Sequence, residues 1–256
     1  MKLPTLIERP SPNHDERPAG QPIDILLLHY TGMRSAEAAL DRLCDPAARV
    51  SAHYAIDEAG SCYRLVREER RAWHAGVSSW AGRTDINACS IGIELVNPGH
   101  EFGYRPFPEP QMTRLEQLCQ AILARHPIPS HRVLGHSDVA PQRKQDPGEL
   151  FDWPRLARAG IGIWPKRTWA TPGPLPLAPG DSGAEVARFR SELAAFGYGI
   201  APDGSYDNAA VAVVTAFQRH FRRGQVDGIA DPETRALLQT LLATLTRSLD
   251  PPAARA

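Results

Sequence analysis

No stretch of the 256-residue chain approaches the roughly 20 consecutive apolar residues that a membrane-crossing helix needs, so insertion into a bilayer has no candidate segment. An excess of charge is also missing. The 29 Lys and Arg balance 29 Asp and Glu, giving a formal net charge of zero. Nucleic acid and anionic lipid need a basic field to release counterions or hold headgroups, and neither is expected as a partner. Cysteine is scarce: Cys44, Cys62, Cys89 and Cys119 stand 18, 27 and 30 residues apart, without the C-x-x-C spacing of a structural zinc or redox site. Four buried free thiols in a reducing compartment are expected. No Cys stands beside a His and a helix N-terminus, which argues against cysteine-based hydrolysis. The opening residues carry neither an apolar h-region nor a lipid-accepting Cys, so export by the usual route is not expected.

What is present is an ordinary globular composition, 42% hydrophobic and 23% charged, with 24 prolines that are unevenly placed. Pro172, Pro174, Pro176 and Pro179, with Gly173 and Gly180, reach a density at which neither helix nor central strand persists. This predicts a first domain over 1–165 with its core at about 20–160, a Pro-rich linker over 166–176, and a second domain over 177–248. Within the first, Ile25 to Leu28 reads as a buried strand. His53–Ile56 and Cys62–Val66 read as a hairpin closed at Gly60, and Ser90–Val96 as a further central strand. Met112, Leu115, Leu118, Cys119, Ile122 and Leu123 fall at helical spacing after Pro110. The expected class is α/β, a mixed central sheet flanked by helices. Downstream the period is helical throughout. Gly197 is placed to end one helix, Asp207 to cap a second and Asp231-Pro232 a third, a small three-helix domain better suited to binding than to catalysis.

His14, His100, His126 and His220 sit in polar contexts and are expected on the solvated surface. His29 differs, because it ends the buried strand, where open α/β sheets place their ligands. The loop from Gly135 to Gly148 concentrates an imidazole, an ammonium and two carboxylates. A catalytic zinc needs three His/Asp/Glu ligands and an open position, a set that His29, His136 and Asp146 can supply. His136 and Asp146 can equally make ordinary loop hydrogen bonds. With such ligands the site would keep a net charge of +1, enough to acidify a bound water. Glu94 ends an apolar strand and is a general-base candidate, the plain alternative being a strand-end carboxylate facing water.

Several segments occur together in one order: Ile25-Leu-Leu-Leu-His29-Tyr-Thr31, Ser51-Ala-His-Tyr-Ala-Ile56, Ala72-Trp73-His74-Ala-Gly76, Ser90-Ile-Gly-Ile-Glu94-Leu95, Gly135-His136-Ser-Asp138 and Ala140-Pro-Gln-Arg-Lys144-Gln-Asp146-Pro-Gly148. In this the chain resembles the zinc-dependent N-acetylmuramoyl-L-alanine amidases, the amidase_2 family with its AmiD and AmpD types, over about residues 20–165. Gly180-Asp-Ser-Gly183, Gly197-Tyr198, Phe217-Gln218 and the turns Asp203-Gly204 and Asp227-Gly228 resemble a peptidoglycan-binding module over 177–243. The resemblance implies one zinc per chain at His29, His136 and Asp146. It implies catalysis by Glu94 and Lys144, and a substrate cleft bordered by Trp73, His74, Arg83 and Asn87, with Arg83 facing a peptide carboxylate. Where related phage amidases use a Tyr, this chain has Ala52.

The implied activity is hydrolysis of the amide between (1,6-anhydro-)N-acetylmuramic acid and L-alanine of the stem peptide. Its partners would be muropeptides or peptidoglycan fragments, in cytoplasmic recycling. The alternatives are turnover of the intact sacculus in the periplasm or at the outer membrane, and a non-catalytic peptidoglycan-recognition protein, against which the full set of ligands with Glu94 and Lys144 speaks.

Overall fold

The computed structural model describes residues 5–166 and 175–249. Most of the segment read as a Pro-rich linker, including Pro172 and Pro174, lies outside them. The chain divides into two compact units. One is formed by residues up to Ser79 and from Arg83 to Ile163, the other by Trp80–Gly82 and the chain from Trp164 on.

The first unit runs β1 (Leu6–Glu8), β2 (His14–Glu16), β3 (Ile25–Tyr30), α1 (Ala36–Cys44), β4 (Tyr54–Ile56), β5 (Cys62–Arg64) and β6 (Arg70–Ala72). It continues with α2 (Ile86–Cys89), β7 (Ser90–Leu95), α3 (Gly99–Phe102), α4 (Glu109–Leu123), β8 (Val133–Gly135), α5 (His136–Val139) and α6 (Trp153–Arg158). Six strands form one sheet in the order β1-β5-β4-β7-β3-β8. The hairpin β4–β5 is its antiparallel pair, and every other neighbouring pair is parallel. Ile25 to Leu28 are apolar on both faces of β3, which suits a strand covered on both sides, and all four are fully buried. Pro110 stands in the first turn of α4, where its missing N–H costs nothing, and Met112, Leu115, Leu118, Cys119 and Ile122 face the core. From the same helix Gln111, wholly buried, donates to the Ile56 and Val96 carbonyls at the ends of β4 and β7.

A second, two-stranded sheet pairs β2 with β6 antiparallel. It is built of charged residues, with Arg71 clamped between Asp15 and Asp85, and no apolar alternation announces it in the sequence. Arg17, just after β2, donates to the carbonyls of Glu68, Asn87, Ala88 and Ser90, tying this ribbon to the start of β7.

The second unit holds α7 (Ala184–Phe196), α8 (Asn208–Phe221) and α9 (Pro232–Leu249). Gly197 ends α7 at φ 138°, and the Asp207 and Asp231 carboxylates accept from the Ala210 and Thr234 N–H groups. Val186, Phe189, Leu193, Val214, Phe217, Phe221, Leu237 and Leu241 form its core. Trp80 belongs to this unit, its ring edge-on to Phe196 and Tyr198. The turns are pinned by buried polar side chains. Arg190 pairs with Asp203 at 2.8 Å and Asp207 at 3.2 Å, while Gln218 Oε1 accepts from the Asp227 and Gly228 N–H groups.

Several surface expectations are corrected. His220 is 3% exposed, stacked on the Phe221 ring at 3.9 Å, because α8 buries most of its circumference. His14, His100 and His126 are half-buried and partnered: His14 by Arg70, His100 by Tyr30 and Glu149, His126 by Glu68. Polar neighbours in sequence say little about what packs over a side chain in space. All four cysteines are free, with Cys62, Cys89 and Cys119 buried but Cys44 only half-buried. Burial raises their thiol pKa values, that of Cys62 to about 12, so none is poised as a nucleophile.

Candidate metal centre and active site

The site is assembled where the parallel strands β3, β7 and β8 end. His29 is the fifth residue of β3, in direct register with Glu94 on β7, so both side chains leave the same face of the sheet. β8 ends at Gly135, and the chain turns there so that His136 opens α5. The turn is held by the Asp138 carboxylate, which accepts from the Gly135 N–H at 2.8 Å. Asp146 is brought back to this turn by its own carbonyl, which accepts from the Ser137 N–H at 2.9 Å.

His29 Nδ1, His136 Nδ1 and an Asp146 carboxylate oxygen stand 3.0 to 3.1 Å from one another, at exposures of 1%, 3% and 5%. His136 Nε2 lies 3.0 Å from the Ala75 carbonyl, which can only accept, so Nε2 carries the proton and Nδ1 turns a lone pair into the site. A lone pair facing a buried carboxylate is repulsive unless a cation lies between them. Tetrahedral zinc ligands at about 2.0–2.2 Å from the ion stand roughly 3.3 Å apart, close to the separations here. Two imidazoles and a carboxylate also suit zinc, whereas magnesium and calcium take oxygen ligands. The residues fit a zinc ion.

Beside them Glu94 is half-buried, with one carboxylate oxygen fully buried and lacking any hydrogen-bond partner in the protein. Burial, then the Asp146 charge, pushes its pKa up to about 8, and Lys144 works against that rise. An orphaned carboxylate oxygen next to a metal-binding triangle is placed to take a proton from water. Burial lowers the pKa of His29 to about 4, the adjacent His136 adding to the effect, so the ring is neutral as a ligand must be.

These groups open into a cleft of about 350 Å³ whose wall includes Glu94, His136, Asp146, Lys144, Trp73 and His74. Arg42 and Arg143 also line it, two cationic residues to which sequence reasoning assigned no role. Arg83, expected to face a peptide carboxylate, instead pairs with Asp24 at 2.9 Å and does not line the cleft. Asp24 precedes β3, and its half-buried carboxylate is shared between Arg83 and Arg132. Asn87 acts from behind, its Oδ1 accepting from the His74 and Ala75 N–H groups at 3.1 and 2.8 Å.

A strand-end cluster of two imidazoles and an acid that could hold a metal ion, beside an orphaned glutamate oxygen on a mixed sheet, is a site suited to hydrolysis. Residues 19–149 match the family described as N-acetylmuramoyl-L-alanine amidase, Amidase_2, and the chain belongs to that family and is an amidase of it. Residues 182–238 match the putative peptidoglycan binding domain. The chain is 38% identical over 235 residues to N-acetylmuramoyl-L-alanine amidase AmiD of Escherichia coli K12, covering 86% of this chain and 82% of that protein. It is 36% identical over 163 residues to 1,6-anhydro-N-acetylmuramyl-L-alanine amidase AmpD of Haemophilus influenzae, covering 57% of this chain and 86% of that one. A solved complex of the E. coli AmiD with the substrate anhydro-N-acetylmuramic acid-L-Ala-D-gamma-Glu-L-Lys superposes with a TM-score of 0.76 at 37% identity, covering 90% and 92% of the two chains. No helix among the described residues is long and apolar enough to cross a membrane.

Proposed function

We propose that the protein is a zinc amidase that cuts the bond between (1,6-anhydro-)N-acetylmuramic acid and the L-alanine of the stem peptide, in peptidoglycan recycling. The observation that carries this reading is the convergence of His29, His136 and Asp146 at 3.0 to 3.1 Å beside the orphaned Glu94 oxygen. A zinc ion held by His29, His136 and Asp146 would supply Lewis acidity to the scissile carbonyl and to water. Glu94 takes the proton of the attacking water and returns it to the departing amine. Lys144, on the cleft wall, offers its ammonium to the developing oxyanion, a contribution typically of about 3 kcal/mol for a well-placed donor. Trp73 and His74 border the substrate, and Arg42 and Arg143 give that wall the positive charge an anionic peptide requires.

The free cysteines fit a reducing compartment and hence imported fragments as substrates. The peptidoglycan-binding match favours a second reading, turnover of intact wall in the envelope. Mass spectrometry of products from 1,6-anhydro muropeptides and from intact sacculi, with cell fractionation, separates them. Free anhydro-sugar and an intact L-Ala-led peptide are expected, with the protein in the cytoplasm. Cleavage at any other bond would overturn the chemistry. Envelope location with equal turnover of sacculi would overturn the recycling role.

A further inference from the structure

The cleft wall contains a residue whose polar atoms do not point into the cleft. His74 Nδ1 lies 3.1 Å from His29 Nε2, and His74 Nε2 lies 3.3 Å from Ser90 Oγ. The Ser90 hydroxyl donates to the Ile86 carbonyl at 2.6 Å. A hydroxyl has a single proton and a carbonyl has none, so Ser90 can offer His74 only a lone pair. His74 Nε2 therefore carries a proton, His74 Nδ1 is an acceptor, and His29 must donate to it from Nε2. His29 Nδ1 is then the bare nitrogen, facing His136 Nδ1 and Asp146.

We propose that His74 is a positioning residue for the metal ligand His29, relaying the direction set by the Ile86 carbonyl so that His29 always presents Nδ1 to the ion. This rests on the zinc reading of the site. The local fold is built for the relay. A Cβ on Gly92 would stand 2.5 to 2.7 Å from atoms of the His74 ring, so glycine lets the ring lie against β7. Asn87 Oδ1 holds the N–H groups of both His74 and Ala75. These adjacent residues serve one ligand each, Ala75 orienting His136 through its carbonyl and His74 orienting His29 through its ring. Partners of this kind typically change metal affinity by about 10- to 100-fold.

The test uses the full chain. Long-range ¹H–¹⁵N spectra of the zinc-free wild type should show His29 and His74 both protonated at Nε2. In competition with a chromophoric chelator, His74→Phe should bind zinc about 10- to 100-fold more weakly. His74→Asn, whose amide oxygen can accept in place of Nδ1, should recover most of that loss. Ser90→Ala should weaken zinc binding in the same direction, by less. Protonation of His29 at Nδ1 in the wild type overturns the proposal, as does a folded His74→Phe with unchanged affinity or a His74→Asn no better than His74→Phe. Should His74→Phe not fold, the wild-type spectra and Ser90→Ala decide. A wild type that binds no zinc but has His29 protonated at Nε2 would overturn the zinc reading and leave the relay standing.

Discussion

Gly135 and Pro147 meet at a distance that excludes any side chain at position 135. A Cβ there would lie 2.7 Å from Pro147 Cδ, although the Gly135 backbone, at φ −89°, is open to every residue type. The glycine is thus required by packing alone, and what packs on it is the residue that follows Asp146, a proposed ligand. Gly135→Ala should fold, push the 146–147 segment away from His136 and loosen the metal triangle. Zinc affinity is expected to fall by about tenfold or more, comparable to loss of a supporting contact. Chelator competition on a variant with unchanged far-UV dichroism checks this. Wild-type affinity would show that the segment yields without disturbing Asp146.

The proposed role of Glu94 is to act on water beside the metal ligands rather than to be one of them. Glu94→Gln should retain stoichiometric zinc and lose about 10² to 10⁴ in kcat, the usual cost of a missing general base. His136→Ala should lose both metal and turnover. A zinc-free stability measurement adds a sign. The Glu94 pKa is raised, to about 8 from an ordinary 4.5, so its stabilising share is complete below pH 4.5 and is lost as pH rises through 8. Zinc-free Glu94→Gln should therefore gain on the wild type between pH 5 and 8, by on the order of 2 kcal/mol. Loss of the metal in Glu94→Gln would show that the glutamate is a ligand.

The convergence of His29, His136 and Asp146 was legible because each stands at a punctuated place. His29 closes a run of four aliphatic residues, and His136 and Asp146 bracket a loop entered through a glycine. The sheet was legible where both faces are covered, as in β3 and β7, and so was α4, whose apolar stripe follows Pro110. β2 and β6 were not, since His14–Glu16 and Arg70–Ala72 pair through ions rather than apolar alternation. The ion pair of Arg83 was not legible for a related reason. A guanidinium in a polar loop is drawn to whichever carboxylate the fold brings near, here Asp24 from a segment 59 residues away. The orientation of His74 was hidden as well, because it depends on a carbonyl in α2 and a hydroxyl at the start of β7 that no spacing rule connects.

Gln218 is wholly buried in the second unit and satisfies the Asp227-Gly228 turn from both ends of its amide. Its oxygen accepts from the Asp227 and Gly228 N–H groups, and its nitrogen donates to the Ile229 carbonyl at 2.9 Å. Gln218→Ala leaves the buried Gly228 N–H without a partner, at about 1–3 kcal/mol, and removes the contacts to the exposed Asp227 N–H and to the Ile229 carbonyl, which still accepts from the Asp231 N–H. A loss of about 2–4 kcal/mol is expected, with faster hydrogen exchange at the amides of 227 and 228. Unchanged protection there would mean that other groups hold the turn.

Glu68 contributes acid-sensitive stability in the first unit. Burial alone would raise its pKa, but hydrogen bonds from Arg125, His126 and Tyr54 outweigh burial and lower it to about 2. Because the folded value lies below the unfolded one, the stabilisation is present above pH 4.5 and is lost as pH falls through 2. Its side chain is 11% exposed, so solvent screens the cluster little. Glu68→Gln removes the charge while keeping the shape, and leaves Arg125 facing a neutral amide. Urea midpoints measured at fixed pH should show a deficit on the order of 2 kcal/mol at pH 7. That deficit should shrink steadily below pH 4.5, since the wild type is then losing what the variant never had. Parallel stability curves for the two proteins down to pH 2 would show that the cluster contributes no pH-dependent stability and that Glu68 is held there by shape alone.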